Sequence, residues 1–181
     1  IAEGECNCDG NVNDCCGDCD GDNSSCAGLG DVNGDGATDV SDILTIIDVI
    51  LEISELDECA DIRGDTTGDG VTNILDVIPI VDYILGGGTA RADIAIPTSV
   101  EIIQSAHGLS YQTDVDGLVG FELTIGHSEG FDFNLSKDAY IAESNITDNT
   151  TKMVIINDGG SQLFTSTGEF EIVDVLAGSS A

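Results

Sequence analysis

The sequence predicts a multi-domain chain: a disulfide-rich irregular segment over residues 1–28, a small all-α unit over 29–90, and an all-β antiparallel sandwich over 91–181. Three observations predict it. Six of the seven cysteines (Cys6, Cys8, Cys15, Cys16, Cys19 and Cys26) fall in a short stretch with almost no apolar residue to build a core. Two twelve-residue acidic stretches, 31–42 and 65–76, lie 34 positions apart, and each runs into a helix-period apolar pattern. From about Arg91 the apolar period shortens to two.

The two acidic stretches read Asp-Val-Asn-Gly-Asp-Gly-Ala-Thr-Asp-Val-Ser-Asp and Asp-Thr-Thr-Gly-Asp-Gly-Val-Thr-Asn-Ile-Leu-Asp. Oxygen side chains stand at loop positions 1, 3, 5, 9 and 12, with Gly at position 6. A hard cation such as Ca²⁺ takes six to eight oxygens at about 2.3–2.6 Å, and a loop of this length and spacing supplies them. In the first loop the ligands would be Asp31, Asn33, Asp35, the Ala37 carbonyl, Asp39 and Asp42. In the second they would be Asp65, Thr67, Asp69, the Val71 carbonyl, Asn73 and Asp76. Gly36 and Gly70 would make the sharp turn that wraps the chain around the ion.

After the first loop, Ile43, Ile46, Ile47, Ile50 and Leu51 recur as one helix face. After the second, Ile74, Val77, Ile78, Val81, Ile84 and Leu85 repeat the pattern until Gly86-Gly87-Gly88 stops it. Pro79 is tolerable if that helix begins near Leu75 or Asp76, which would put it at the end of the first turn. No helix pattern precedes the first loop, where the chain reads Ala-Gly-Leu-Gly. Each unit is therefore expected to be a loop and its exit helix, and the pair to bury one small core.

These paired half-hands, with the closing Ile-Leu-Gly, resemble a type I dockerin, a double F-hand module that docks into cohesin domains of extracellular assemblies; the resemblance covers about residues 29–88. It implies that loop positions 10–11 and the middle of the exit helices touch the partner. Those positions are Val40-Ser41 in one repeat and Ile74-Leu75 in the other, so the two faces differ and equivalent two-way docking is not expected. The apolar pair is equally readable as plain core.

In the N-terminal segment, Cys8-Asp9-Gly10 to Cys15 and Cys19-Asp20-Gly21 to Cys26 share a Cys-Asp-Gly-x4-Cys frame. Such a coreless segment must be stapled. Zinc fits poorly, because the C-x-C and C-C spacings are not zinc-knuckle spacings. Disulfides plus calcium held by Asp9, Asp14, Asp18, Asp20 and Asp22 resemble the Asp/Cys repeats of thrombospondin type 3 modules, and further calcium sites would lie within residues 6–26. A disulfide-knotted linker without ions is the other reading. Seven is an odd number, so either Cys59 pairs back to this segment and one cysteine is spare, or a bond runs between chains.

In the C-terminal part, Val100–Gln104, Leu118–Ile125, Lys152–Ile156 and Phe170–Leu176 read as strands separated by Gly/Ser/Asn/Asp clusters. Their order resembles the core of a cohesin-type or related carbohydrate-binding sandwich. Ninety residues is short for a cohesin, so a neighbouring chain would supply a missing strand, or the fold is a smaller relative.

Acidic residues number 35 against Arg63, Arg91, Lys137 and Lys152, for a net charge of −31. Bound cations would relieve this self-repulsion, although an acidic surface also suits salty water. Nucleic acid is excluded as a partner, since phosphate binding needs clustered Lys and Arg. No apolar run is long enough to span a membrane. The N-terminus lacks a signal pattern, so a secreted chain would begin after cleavage or inside a longer precursor. His107 and His127 have no catalytic frame and no G-x-S-x-G elbow exists, so no enzyme is expected. Tyr83, Tyr111 and Tyr140 are expected in core or rim. Asn23, Asn134, Asn145 and Asn149 each open a sequon that permits glycosylation.

These features point to an extracellular or cell-surface calcium-binding protein without catalysis. The expected role is a self-assembling structural subunit of a filament, surface layer or adhesive fibre, with other copies of itself or a cohesin-like domain as partner. The alternative is a dockerin-type module tethering a secreted carbohydrate-active protein to a scaffold.

Overall fold

In the computed structural model, residues 3–25, 30–86, 100–114, 117–158 and 160–180 are described; Cys26, Gly87, Gly88 and Arg91 lie outside them. The helical unit holds α1 (Val40–Ile50), α2 (Glu58–Gly64) and α3 (Ile74–Ile84). α1 and α3 begin the same way. Asp39 and Asn73 are the N-caps, accepting backbone N–H groups from the first turn, while Asp42 and Asp76 reach back to the cap residue's own N–H. Each is a capping box, which satisfies donors the first turn would otherwise leave open.

α2 is an addition to the expected loop-plus-exit-helix plan. At seven residues it is too short to print a period in the sequence, and it is held by contacts made elsewhere. Asp57 caps it through a 2.8 Å bond from the Ala60 N–H. Arg63, in its last turn, donates Nε to the Asp31 carbonyl at 2.8 Å and Nη2 to the Val32 carbonyl at 3.0 Å, tying α2 to the first loop. α3 begins at Ile74, earlier than expected, so Pro79 falls in the second turn and lacks the N–H that would have bonded the Leu75 carbonyl. The helix persists because its cap and its packing outweigh one lost bond. Ile43, Ile46, Ile47 and Ile50 of α1 meet Val77, Ile80 and Val81 of α3 in a single core with Val32 and Ala60.

Among the described residues, the C-terminal part forms an eight-stranded antiparallel sandwich. One sheet runs β1 (Val100–Ser105), β2 (Gly108–Thr113), β7 (Gln162–Thr167) and β4 (Asp132–Leu135). The other runs β5 (Ile141–Thr147), β6 (Thr150–Asp158), β3 (Leu118–His127) and β8 (Phe170–Ser179). Alternation decides which side chains enter the space between the sheets. Val119, Phe121, Leu123 and Ile125 of β3 point inward with Met153 and Ile155 of β6, against Leu109, Tyr111, Leu163 and Phe164 of the facing sheet. The four strands read from the sequence correspond to β1, β3, β6 and β8. Eight strands of the chain's own build both sheets, and β1 is bridged to β8 by a 2.9 Å bond from Gln104 Nε2 to the Phe170 carbonyl.

The N-terminal segment carries the disulfide Cys6–Cys19 and isolated bridges between Glu5 and Val12 and between Asn13 and Cys19. Cys15 pairs with Cys59 of α2, so Cys59 does return to this segment, and Cys8 is the exposed free thiol among the described residues. Cys16 is also disulfide-bonded. Arg63 Nη1 adds a 3.3 Å bond to the Cys15 carbonyl. The segment is thus fastened to α2 at both ends, through Cys59 in its first turn and Arg63 in its last.

The Cys15–Cys59 bond closes 44 residues, a span for which chain entropy gives about 4 kcal/mol. The double variant Cys15→Ser/Cys59→Ser is expected to lower the stability of the helical unit by up to that amount in chemical denaturation. An unchanged midpoint would show that Arg63 and the α1–α3 core suffice.

Candidate metal centres and docking face

The two loops fold on one scheme. Asp31 accepts the Asp35 N–H at 3.0 Å on one carboxylate oxygen and the Gly36 N–H at 2.9 Å on the other. Asp65 likewise accepts Asp69 at 3.1 Å and Gly70 at 2.9 Å. At the far end of the first loop, Asp42 accepts Asn33 N–H at 3.0 Å and Asp39 N–H at 2.9 Å. Asp76 accepts Thr67 N–H at 3.0 Å and Asn73 N–H at 2.9 Å. Position 6 carries φ of 90° at Gly36 and 86° at Gly70, a left-handed turn that glycine adopts without strain. The structure therefore curls residues 31–42 and 65–76 into two rings whose first and last carboxylates are fixed by backbone donors.

Asp42 and Asp76 are fully buried. A buried carboxylate needs a compensating positive charge. Among the described residues the ion pair is Lys152 with Glu52, neither of them a loop residue, and Arg63 spends its donors on carbonyl oxygens. Burial pushes the Asp76 carboxyl above the usual range, and the nearby Asp65 charge pushes the same way, against the N–H groups of Asn73 and Thr67 and the Thr67 hydroxyl. A divalent cation would reverse that balance. All the donors are hard oxygens, so the residues present fit Ca²⁺. Asp31, Asn33, Asp35, Asp39 and Asp42 with the Ala37 carbonyl would hold one ion; Asp65, Thr67, Asp69, Asn73 and Asp76 with the Val71 carbonyl would hold the other. Bound calcium would supply the charge that lets each ring close on the first turn of its exit helix.

The N-terminal candidates gather less completely. Asp14 and Asp18 converge with Cys16 Sγ within 4.8 Å of one another, but Cys16 is disulfide-bonded and offers no thiolate. Asp14 already accepts N–H groups from Cys16, Asp18 and Asn23, and Asp18 accepts the Ser25 hydroxyl.

The second repeat does more than hold a loop. α3 lies across the outer face of the β5-β6-β3-β8 sheet, and its core runs on into Leu118, Val154 and Ile156, with Leu75, Ile141 and Leu176 packed at the margin. Close approach is possible because two paired positions on β3 and β8, Gly120 and Gly178, present no side chain. A Cβ on Gly120 would meet Ile78 at 2.9 Å and Ile74 at 3.1 Å, and one on Gly178 would collide with Leu75. The rim is polar. Asn145 Nδ2 donates to the Leu51 carbonyl at 2.8 Å, and Lys152 pairs with Glu52 at 2.8 Å. Glu122 accepts the Ile74 N–H at the start of α3; burial pushes its carboxyl up, Lys152 and the Ile74 N–H pull it down, and Asp174 pushes it up.

The repeat offset of 34 makes this a controlled comparison. Val40 and Leu44 of α1 occupy the positions of Ile74 and Ile78, yet are 55% and 50% exposed where the latter are 0% and 1%. Ile74-Leu75 is therefore neither plain internal core nor a free face: the sandwich covers it. Sequence reading missed Gly120 and Gly178, although an isolated glycine inside a strand pattern signals close approach of another backbone or side chain. Of the sequons, Asn145 has its amide engaged at this contact.

Residues 29–85 match the family model of the Dockerin type I domain. The segment is a dockerin-like module, a non-catalytic assembly unit of a kind that binds calcium and cohesin partners. No curated protein and no solved structure gives a match to the chain. No helix among the described residues is long and apolar enough to cross a membrane.

The first loop offers four carboxylates and the second three, so calorimetry is expected to resolve two calcium sites with the first tighter. Thr67→Asp should tighten the second site and leave the first unchanged. A second site that fails to respond would count against ligand charge as the source of the order.

Proposed function

We propose that this chain is an extracellular, calcium-dependent assembly module, in which two loop-bound calcium ions shape a dockerin-like unit that docks on the outer face of a β-sandwich. The observation that carries the reading is α3 seated on Gly120 and Gly178. It joins the helical repeat to a sheet face flat enough to receive it, with a polar rim that fixes the register. Disulfides persist in oxidising surroundings, which supports the secreted or cell-surface setting.

The match of residues 29–85 to the Dockerin type I domain favours tethering over the filament subunit expected from composition. A dockerin-like module links what is attached to it to a partner, and the face that would do so is here engaged with the chain's own sandwich. Val40, Ser41 and Leu44 of the first repeat remain outward. The contact chemistry is apolar at the centre and needs no catalytic group.

Calcium is the expected control. Empty loops would leave Asp31 with Asp42, and Asp65 with Asp76, repelling across each ring, and two short helices are marginal without their caps and tertiary packing. Excess chelator is expected to collapse the helical circular dichroism signal and to raise amide exchange along β3 and β8, while the strand signal persists. Gly178→Trp in saturating calcium should raise the same exchange with the helices intact. Unchanged exchange in both experiments would remove the docking reading.

A further inference from the structure

The α3–sheet contact joins two bodies that each have a core of their own. Ile43, Ile46, Ile47 and Ile50 meet Val77, Ile80 and Val81 inside the helical unit, whereas Phe121, Leu123, Met153, Ile155 and Phe164 fill the space between the sheets. Ile78, with Leu75 at the margin, stands where the helical core runs on into Leu118, Val154 and Ile156 of the sheet. In the first repeat, Leu44 is half exposed at the position of Ile78 in a helix that is fully formed. Nothing in the chemistry of the contact, glycines under apolar side chains with a Lys152–Glu52 pair and an Asn145 bond at the rim, requires both surfaces to come from one copy.

Resting on the docking reading, we propose that the contact is exchangeable: the glycine-floored sheet of one copy accepts α3 of a second copy in the same geometry, so closed monomers convert to linked copies. Thirteen residues, 87–99, separate the last described residue of the helical unit from β1. A connection of that length spans up to about 45 Å when extended, and carrying both surfaces on one chain sets an effective concentration on the order of millimolar. Closure within one copy therefore dominates at micromolar protein, and exchange competes as the protein approaches millimolar. The partner is a second copy because the complementary surfaces are both present on this chain and seen paired. The net charge of −31 opposes approach of two copies, so linked copies form under calcium and salt and separate when the charge is unshielded.

Complementation tests this without depending on the connection. Gly178→Trp blocks the sheet and leaves α3 intact; Leu75→Glu/Ile78→Glu blocks α3 and leaves the sheet intact. Each variant alone is expected to stay at the monomer mass in light scattering, with native helical and strand signals. Mixed at about half-millimolar in calcium, the pair should form a 1:1 complex of twice the monomer mass, because the sound α3 of one finds the sound sheet of the other at a concentration near that of closure. If the double variant loses its helices, Leu75→Arg, at a partly exposed position, takes its place. Two folded variants that remain separate on mixing overturn the exchange and leave docking within one copy standing. Amide exchange in Gly178→Trp identical to wild type would instead overturn docking itself.

Discussion

Two carboxylates with no surface exposed to solvent, Asp42 and Asp76, set the terms for the helical unit. Each closes a ring by accepting two backbone N–H groups, and each sits three residues past the cap of an exit helix. The last ligand position of the loop and the capping box of the helix are therefore the same residue. Loop closure and helix start cannot be separated: whatever neutralises the ring also fixes the first turn of α1 or α3. A cation at the ring would supply what no Lys or Arg among the described residues does, and the α1–α3 core and the aim of α3 follow from the geometry of the ring.

The covalent and ionic ties follow from the same shortage of positive charge. Arg63 is one of four basic residues, and it donates to carbonyl oxygens of Asp31, Val32 and Cys15, not to a carboxylate. It thereby ties α2 to two backbone segments, one at Cys15 and one at Asp31–Val32, where the first loop begins. The Cys15–Cys59 bond reaches the same helix from the coreless segment. α2 survives at seven residues because these ties hold it from both ends. Short helices are rarely stable by propensity.

Much of this was legible in the sequence, and the illegible parts have physical reasons. The two rings printed themselves because carboxylates that accept the loop's own N–H groups and glycine turns must stand at fixed loop positions. The α1 and α3 faces printed a helical period because one side of each is buried. β1, β3, β6 and β8 printed period two, whereas β2, β4, β5 and β7 are short or rich in Ser, Thr and Asn, with little apolar alternation to read. The start of α3 was misplaced because Pro79 suggests a later beginning than the Asn73 cap enforces. Which face of α3 meets the sandwich was invisible, since Gly120 and Gly178 inform only when something is known to lie above them. The apolar pair Ile74-Leu75 marked a contact without saying whose.

The two repeats share a scaffold and differ in what covers them, and that difference is a matter of single side chains. Ile74, Leu75 and Ile78 present three apolar groups to the sheet; Val40, Ser41 and Leu44 present two apolar groups and a hydroxyl to solvent. Burying one large aliphatic side chain contributes roughly 1.5–3 kcal/mol, so replacing Leu75 by a serine-type position removes a sizeable part of what drives docking. The polar rim then decides register. Glu122 meets the start of α3 and Lys152 meets Glu52 beyond the end of α1, with Lys152 also close enough to act on the Glu122 carboxyl. If the helical unit were turned to present α1, the Ile74 N–H would be withdrawn from Glu122, leaving a half-buried carboxylate without that donor. The preference for the second repeat is thus built from an apolar gain on one side and an electrostatic loss on the other, both traceable to residues that break the internal repeat.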